Sequence, residues 1–505
     1  MMKKRGISVA LAVVMMLGAL GGCARDKETV QNNDKEKLTF SVSLPDSGNQ
    51  YVIRSQNINE DEWVKKFNEK FNTNVTFMHR DSKRDNEEMQ MMFASGEIAD
   101  VILAYGDCRT KLYAEAIENG AFMKLNDILE DNKEELSELL NTIPERAWNE
   151  SKNADGDIFG IPVNFKEDGS SKATYIRKDL LDKYNLEIPD TIDDFVNVMR
   201  VFKENGMKYP YCAREGWSYS ELFISCFGVA ADRFNLNENG EMVPDIVTDR
   251  FKNAMAFNRK LCEEGLINPE SLTINSTEWA NKIKTGEIGM FIHDASNLEA
   301  WNSQLKVNLP EAEYILIPSP LGYNGERGAT VNAAITSTLF VNSSFKQAKE
   351  LMLFLNEQCK EENVKFIRSE SKKEITDAQE ATELQLAKRD FIGSTLFVIN
   401  GGYNTDLAEG DTSYAQNYRD WYENIREKEG YHAYKIQDIP CLEKYPELKP
   451  GYNNALLMEY TTKIFTGEWP IEKYDEFIET YMKRGGDELI KEATQMYKNG
   501  EVFRY

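Results

Sequence analysis

Apolar and polar residues alternate from Leu38 onward. Leu38, Phe40, Val42 and Leu44 are separated by Thr39, Ser41 and Ser43, the period of a half-buried strand. Trp63, Val64, Phe67 and Phe71 then recur at helical spacing, and Val75 and Phe77 mark a second strand. A polar helix leads to Asp100-Val101-Ile102-Leu103-Ala104, a short apolar run suited to a buried parallel strand. This order predicts an α/β sheet. Ligands of open α/β sheets sit beyond the carboxyl ends of strands, which draws attention to the loop Tyr105-Gly106-Asp107. Further along, Asp155–Pro162 reads as a turn and a strand, and Thr174-Tyr175-Ile176 as a strand before a helix. Thr191 is placed to cap the next helix, with Asp194 three residues on. Phe251, Ala254, Met255, Leu261 and Cys262 form one helix face that ends at Gly265. Ile288–Ile292 and Tyr314–Ile317 read as strands, and Ala348, Leu351, Met352 and Leu355 as an amphipathic helix. The dense charge of residues 360–390 predicts a solvated helical excursion.

The start of the chain has a different pattern. A basic head, Met-Met-Lys-Lys-Arg, precedes an apolar run from Gly6 to Leu20. That is the form of a secretory signal, and the run is shorter than the roughly 20 residues of a membrane span. Leu20-Gly21-Gly22-Cys23 resembles a bacterial lipobox. The resemblance implies cleavage before Cys23 and a diacylglycerol on its sulfur, whose two chains suffice for stable attachment to a bilayer. Residues 24–37 are too polar to fold and read as a tether.

Bulk properties narrow the classes. The chain beyond Cys23 is too long for one ordinary core, so two or more lobes are expected. There are 84 acidic and 60 basic residues and a formal net charge of -24, which argues against binding nucleic acid across a broad face. Six scattered cysteines remain after Cys23 without a Cys-x-x-Cys pair, signalling neither zinc nor a disulfide scaffold. The histidines are His79, His293 and His432, widely spaced, and none of the common catalytic or phosphate-binding motifs is present. No metal and no cofactor are expected.

The order of short motifs resembles that of the solute-binding lipoproteins of ABC importers, family 1, in the long form of Gram-positive bacteria. Phe93–Ile102 resembles the family's "small-Gly-x-x-Pro-Asp-Val" strand entry, with Ala99 where proline is usual. Gly120–Asp127, Asp155–Pro162, Tyr175–Leu181 and Thr285–Met290 resemble further family stretches, as do Ile464–Glu468, Tyr474–Phe477 and Gly485–Glu488 near the carboxyl end. Long-form relatives often carry a calcium-like loop where this chain has Lys203–Pro210, which lacks alternating oxygen ligands, so no calcium is expected there.

The resemblance implies a two-lobe, type II periplasmic-binding-protein-like α/β fold with hinge crossover strands and a central ligand cleft. It also implies an extracellular, lipid-anchored monomer that presents an oligosaccharide to ABC permease subunits. Domain boundaries are expected as signal peptide 1–22, lipidated Cys23 and tether 23–37, first lobe 38–163, second lobe 164–313, a first-lobe return 314–365, and mainly second-lobe helices over 366–505. A sugar site needs paired donors and acceptors for hydroxyls and aromatic rings for the apolar sugar faces. Segments near strand ends and turns that meet this description supply Tyr105 and Asp107, Asn164 and Lys166, Arg214 and Trp217, His293, Asp294 and Trp301, and Tyr403. Trp217 reads equally as a stacking platform and as a cap on the core. The rival readings are a cell-surface glycoside hydrolase or lyase using two carboxylates, and a receptor for peptides or signal molecules.

Overall fold

The computed structural model describes residues 36–505, apart from residues 154, 166–170, 323, 324, 326, 375–381, 401–404, 437, 503 and 505. Cys23 and nearly all of the tether lie outside the described residues. Among those described, the strands are β1 (Leu38–Pro45), β2 (Thr73–Arg80), β3 (Val101–Tyr105), β4 (Gly160–Phe165), β5 (Lys172–Arg177), β6 (Tyr209–Tyr211), β7 (Phe234–Leu236), β8 (Met242–Pro244), β9 (Ile288–Asp294), β10 (Tyr314–Ile317), β11 (Ile335–Val341) and β12 (Ile399–Asn400). They form two principal sheets, ordered β12-β4-β11-β3-β1-β2 and β10-β5-β9-β6, and the small hairpin β7-β8.

Each principal sheet is the centre of a lobe. In the first, β1 runs parallel to β2 and β3, and β11 runs antiparallel to β3 and β4. The apolar run of β3 is explained by burial on both sides. Val101 and Leu103 pack with Phe40, Phe67 and Leu351, whereas Ile102 and Ala104 pack with Met89, Tyr113 and Phe340. The second sheet is likewise covered twice. Tyr175, Phe291 and Tyr314 pack with Trp279 and Trp421, and Ile176, Met290 and Ile292 meet Phe195, Phe223 and Met255 on the other side.

The chain passes between the sheets three times: after β4, between β10 and β11, and after β12. The middle passage is held from both sides. Arg146 donates to the Asn332 carbonyl at 2.7 Å, and the Glu150 carboxylate accepts from the Ala334 amide at 2.7 Å. From the second lobe, Arg233, 0 % exposed, donates to the Val331 carbonyl at 3.0 Å and to Asn332 Oδ1 at 2.8 Å.

Several sequence expectations hold locally. Thr191 and Asp194 form a reciprocal cap at the start of helix Ile192–Glu204. Phe251, Ala254, Met255 and Leu261 are the buried face of helix Asp249–Glu263. Two expectations are corrected. Tyr314–Ile317 pairs with β5 in the second sheet, so the return to the first comes at Ile335, not at residue 314. The described part of residues 360–390 is helical as expected, but it is not a solvated excursion. Helices Glu361–Lys373 and Glu383–Gly393 bury Ile367, Phe391 and Ile392 in the first-lobe core, and Ile399–Asn400 pairs with β4. The expected switch to second-lobe helices at 366 therefore comes after residue 400. Helix Ser413–Asn424 docks on the second sheet, where Asn417 bonds both backbone groups of Leu316.

Candidate ligand-binding site

The second sheet ends in a cavity. Lys172 opens β5 and is in register with Asp294 at the end of β9, and Ala173 with His293. Parallel pairing of β6 with β9 brings the segment after Tyr211 to the same end. There the chain makes an unusual turn: Gly216, Trp217 and Tyr219 all have positive φ, at 62°, 65° and 59°. Such backbone is rare for bulky side chains, costs on the order of 1–3 kcal/mol per residue and clusters at functional sites. The turn is pinned by Ser218 accepting from the Arg214 amide at 2.9 Å, by Ile274 accepting from the Glu215 amide at 2.9 Å, and by Tyr219 accepting from the Tyr211 hydroxyl at 2.5 Å.

Behind the turn lies a cavity of about 500 Å³, within the range of small-molecule sites. Its walls include Lys172, Arg214, Trp217, Ser218, Tyr219 and Glu221, and residues 330, 332 and 452 close it from the middle passage and the carboxyl-terminal segment. Tyr219 connects this cavity to an aromatic corner. Its ring stacks on Trp279 at 5.4 Å and lies 5.2 Å from His293, and Trp301 meets His293 edge-on at 5.5 Å. The Trp301 indole N–H points to His293 Nδ1 at 3.4 Å. Lys172 Nζ and the Arg214 guanidinium lie 5.0 and 5.6 Å from the Tyr219 ring centre, a cation–π arrangement.

The charges are arranged in pairs. Lys172 bonds Glu221, and Arg214 grips Glu215 through Nε at 2.9 Å and Nη2 at 2.8 Å. Burial works against the Lys172 charge, and Glu221 more than restores it. Burial pushes the Asp232 carboxyl up, and Arg233 and Lys435 more than offset it, so it is held below its ordinary range. An acid held ionised accepts hydrogen bonds from hydroxyls; it is not suited to protonate a leaving group. Burial, with Lys172 and Arg214 nearby, lowers the His293 imidazole against the pull of Asp294. The ring is therefore neutral at pH 7, with one nitrogen donating and one accepting. Two buried polar atoms of the cavity wall, Trp217 Nε1 and Glu221 Oε2, lack a hydrogen-bond partner.

A second cavity, of about 790 Å³, lies at the carboxyl ends of the first-sheet strands. Tyr105, Asn164 and Ser337 meet there, in register across β3, β11 and β4. Tyr105 is 47 % exposed, and its hydroxyl lies 2.7 Å from Ser47 Oγ. Asp46 and His79 complete the strand-end wall.

The structure thus gathers Arg214, Trp217, His293, Asp294 and Trp301 at the end of the second sheet, and Tyr105 and Asn164 at the end of the first. Asp107 lies in neither wall. It is buried, accepting from the Arg109 amide at 2.8 Å and from Arg109 Nε at 2.9 Å. Trp217 is only 2 % exposed and stacks on Tyr452 at 5.9 Å, so it is not a platform, and Tyr219 is the less buried ring of the turn in the cavity wall. Lys166 and Tyr403 lie outside the described residues. Sequence reasoning missed Lys172, Asp232 and Tyr452 as wall residues. Tyr452 carried the signal used for Tyr403, an aromatic next to a glycine turn. Lys172 became visible only through its register with Asp294.

Residues 56–364 match the family model described as "Bacterial extracellular solute-binding protein". The chain is 23% identical to "Lipoprotein LipO" of Bacillus subtilis, with 99% of each chain covered. It is 21% identical to the "Polygalacturonan/rhamnogalacturonan-binding protein YtcQ" of the same organism, over 97% of this chain and 99% of that one. Among solved structures, an HMO-binding, ABC-transporter-associated solute-binding protein from Bifidobacterium longum infantis has the same fold. Its TM-score is 0.62 at 17% identity, with 92% of this chain and 99% of that chain covered.

Proposed function

The chain belongs to the bacterial extracellular solute-binding protein family, and from that premise we propose that it captures an oligosaccharide between its lobes and hands it, unaltered, to the permease of an ABC importer. The observation that carries this reading is the wall of the second-sheet cavity. It sets Tyr219 and Tyr452 beside Ser218, Asp232 and Asn332, the mixture of rings and hydrogen-bonding groups that a sugar requires. Lobe closure about the three passages traps the ligand. Cys23 anchors the protein to the outer face of the membrane through a diacylglycerol.

The test is a thermal-shift screen against a panel of glycans, followed by chromatography of the sugar after incubation. A ligand bound only by the folded form at a hundredfold excess over its dissociation constant stabilises by about 2.7 kcal/mol. The expected result is a raised melting temperature with at least one oligosaccharide, recovered intact. Absence of any shift across the panel, or cleavage of the sugar, overturns the reading.

A further inference from the structure

The basic groups at the two strand-end cavities already have acidic partners within the chain or are uncharged. Lys172 and Arg214 are the basic residues of the described second-sheet wall. The first bonds Glu221, and the second holds Glu215 through two parallel N–H···O bonds. Asp294 adds a negative charge close enough to act on Lys172, and Asp232 adds another beside Arg233. At the first-sheet cavity Arg389 pairs with Asp390 at 2.7 Å. His79 is neutral there because burial pushes its imidazole down to about 4. Asp46 and Glu383 leave that wall acidic. Asp107 and Arg109 between them cancel in the same way.

From these pairings we infer that the site selects neutral sugar chains and discriminates against uronates, with Glu215 and Glu221 as the residues that impose the choice. A uronate carboxylate entering the cavity needs a cation. The cations it meets are already offset by Glu215 and Glu221, and Asp232 in the same wall repels it. A neutral hydroxyl meets no such penalty. It donates to Asp232 and accepts from the paired cations without breaking their bonds. This inference rests on the sugar-binding reading above and narrows it to one substrate class.

The experiment is calorimetric titration with matched pairs: trigalacturonate against its carboxyl-reduced galactose counterpart, and glucuronoxylo-oligosaccharides against plain xylo-oligosaccharides, alongside neutral gluco- and fructo-oligosaccharides. The expected result is saturable binding of at least one neutral chain, with any uronate counterpart about tenfold weaker or more. The variant Glu215→Gln removes a half-exposed carboxylate and frees Arg214, so it should narrow that ratio by about threefold or more. A uronate that binds more tightly than its neutral counterpart overturns the inference and leaves the sugar reading standing. An unchanged ratio in Glu215→Gln overturns the role given to that pair. Failure of every chain, neutral and acidic, overturns both readings.

Discussion

The ring of Tyr219 lies flat on that of Trp279, with centroids 5.4 Å apart and an interplanar angle of 6°, whereas Trp217, two residues earlier, turns into the core against Tyr452 and Phe465. The positive φ values at Gly216, Trp217 and Tyr219 shape the turn that seats both rings. The two variants should therefore behave differently. Tyr219→Ala is expected to weaken glycan binding about tenfold or more while the protein stays folded. Trp217→Ala removes a buried indole and is expected to cost about 3–5 kcal/mol of stability. Denaturant unfolding and calorimetric titration of both variants separate the roles.

Arg233 is a buried cation shared between Asp232 and the middle passage. Arg233→Ala leaves Asp232 less compensated and takes a donor from the Val331 carbonyl. Removal of one partner of a buried pair costs about 3–5 kcal/mol, and the same loss is expected in urea unfolding. Arg233→Met refills the volume and should recover part of it.

Two buried groups give opposite pH slopes. Burial pushes His79 down from 6.5 to about 4, against the pull of Asp46. Unfolded chains therefore take up a proton first, and stability from neutral His79 is present above pH 6.5 and lost as pH falls towards 4. Burial pushes Asp245 up from 3.8 to about 6, against hydrogen bonds from Asn235, Ala230 and Tyr431. Stability from protonated Asp245 is present below pH 3.8 and lost as pH rises through 6. His79→Phe should therefore gain on the wild type as pH falls from 6.5 to 4, by up to roughly 3 kcal/mol. Asp245→Asn should gain on it as pH rises from 4 to 6. Urea unfolding at a series of pH values checks both, and parallel curves for all three proteins would contradict the assignment.

Lipid attachment at Cys23 has a direct readout. In a Gram-positive host, the native protein should partition with membranes and carry the mass of a diacylglycerol on its amino-terminal peptide. Cys23→Ala should appear in the medium without that mass.

Much of the fold was legible because it rests on local periodicity. Alternation at Leu38–Leu44 gave β1, and the spacing of Phe251, Ala254, Met255 and Leu261 gave the buried face of a helix. Sheet membership was harder, because an apolar run such as Tyr314–Ile317 fits either lobe and only pairing with β5 decides. Phe391 and Ile392 were hidden next to Lys388, Arg389 and Asp390 on the same helix. At the site, residue type pointed to the right loops, but not to the direction of each side chain. Asp107 looked free until Arg109, two residues away, closed on it, and nothing in the residue types told that Trp217 turns into the core.

A sugar held reversibly at the Tyr219 corner and released unchanged is the central claim. It is checked by one calorimetric titration, run on wild type and Tyr219→Ala in parallel with the oligosaccharide that most raises the melting temperature. The sugar is recovered from the cell afterwards. The expected result is one saturable site in the wild type, binding about tenfold weaker or more in the variant, and full recovery of intact sugar. Equal affinity in the two proteins, or shortened sugar in the recovered solution, would refute it.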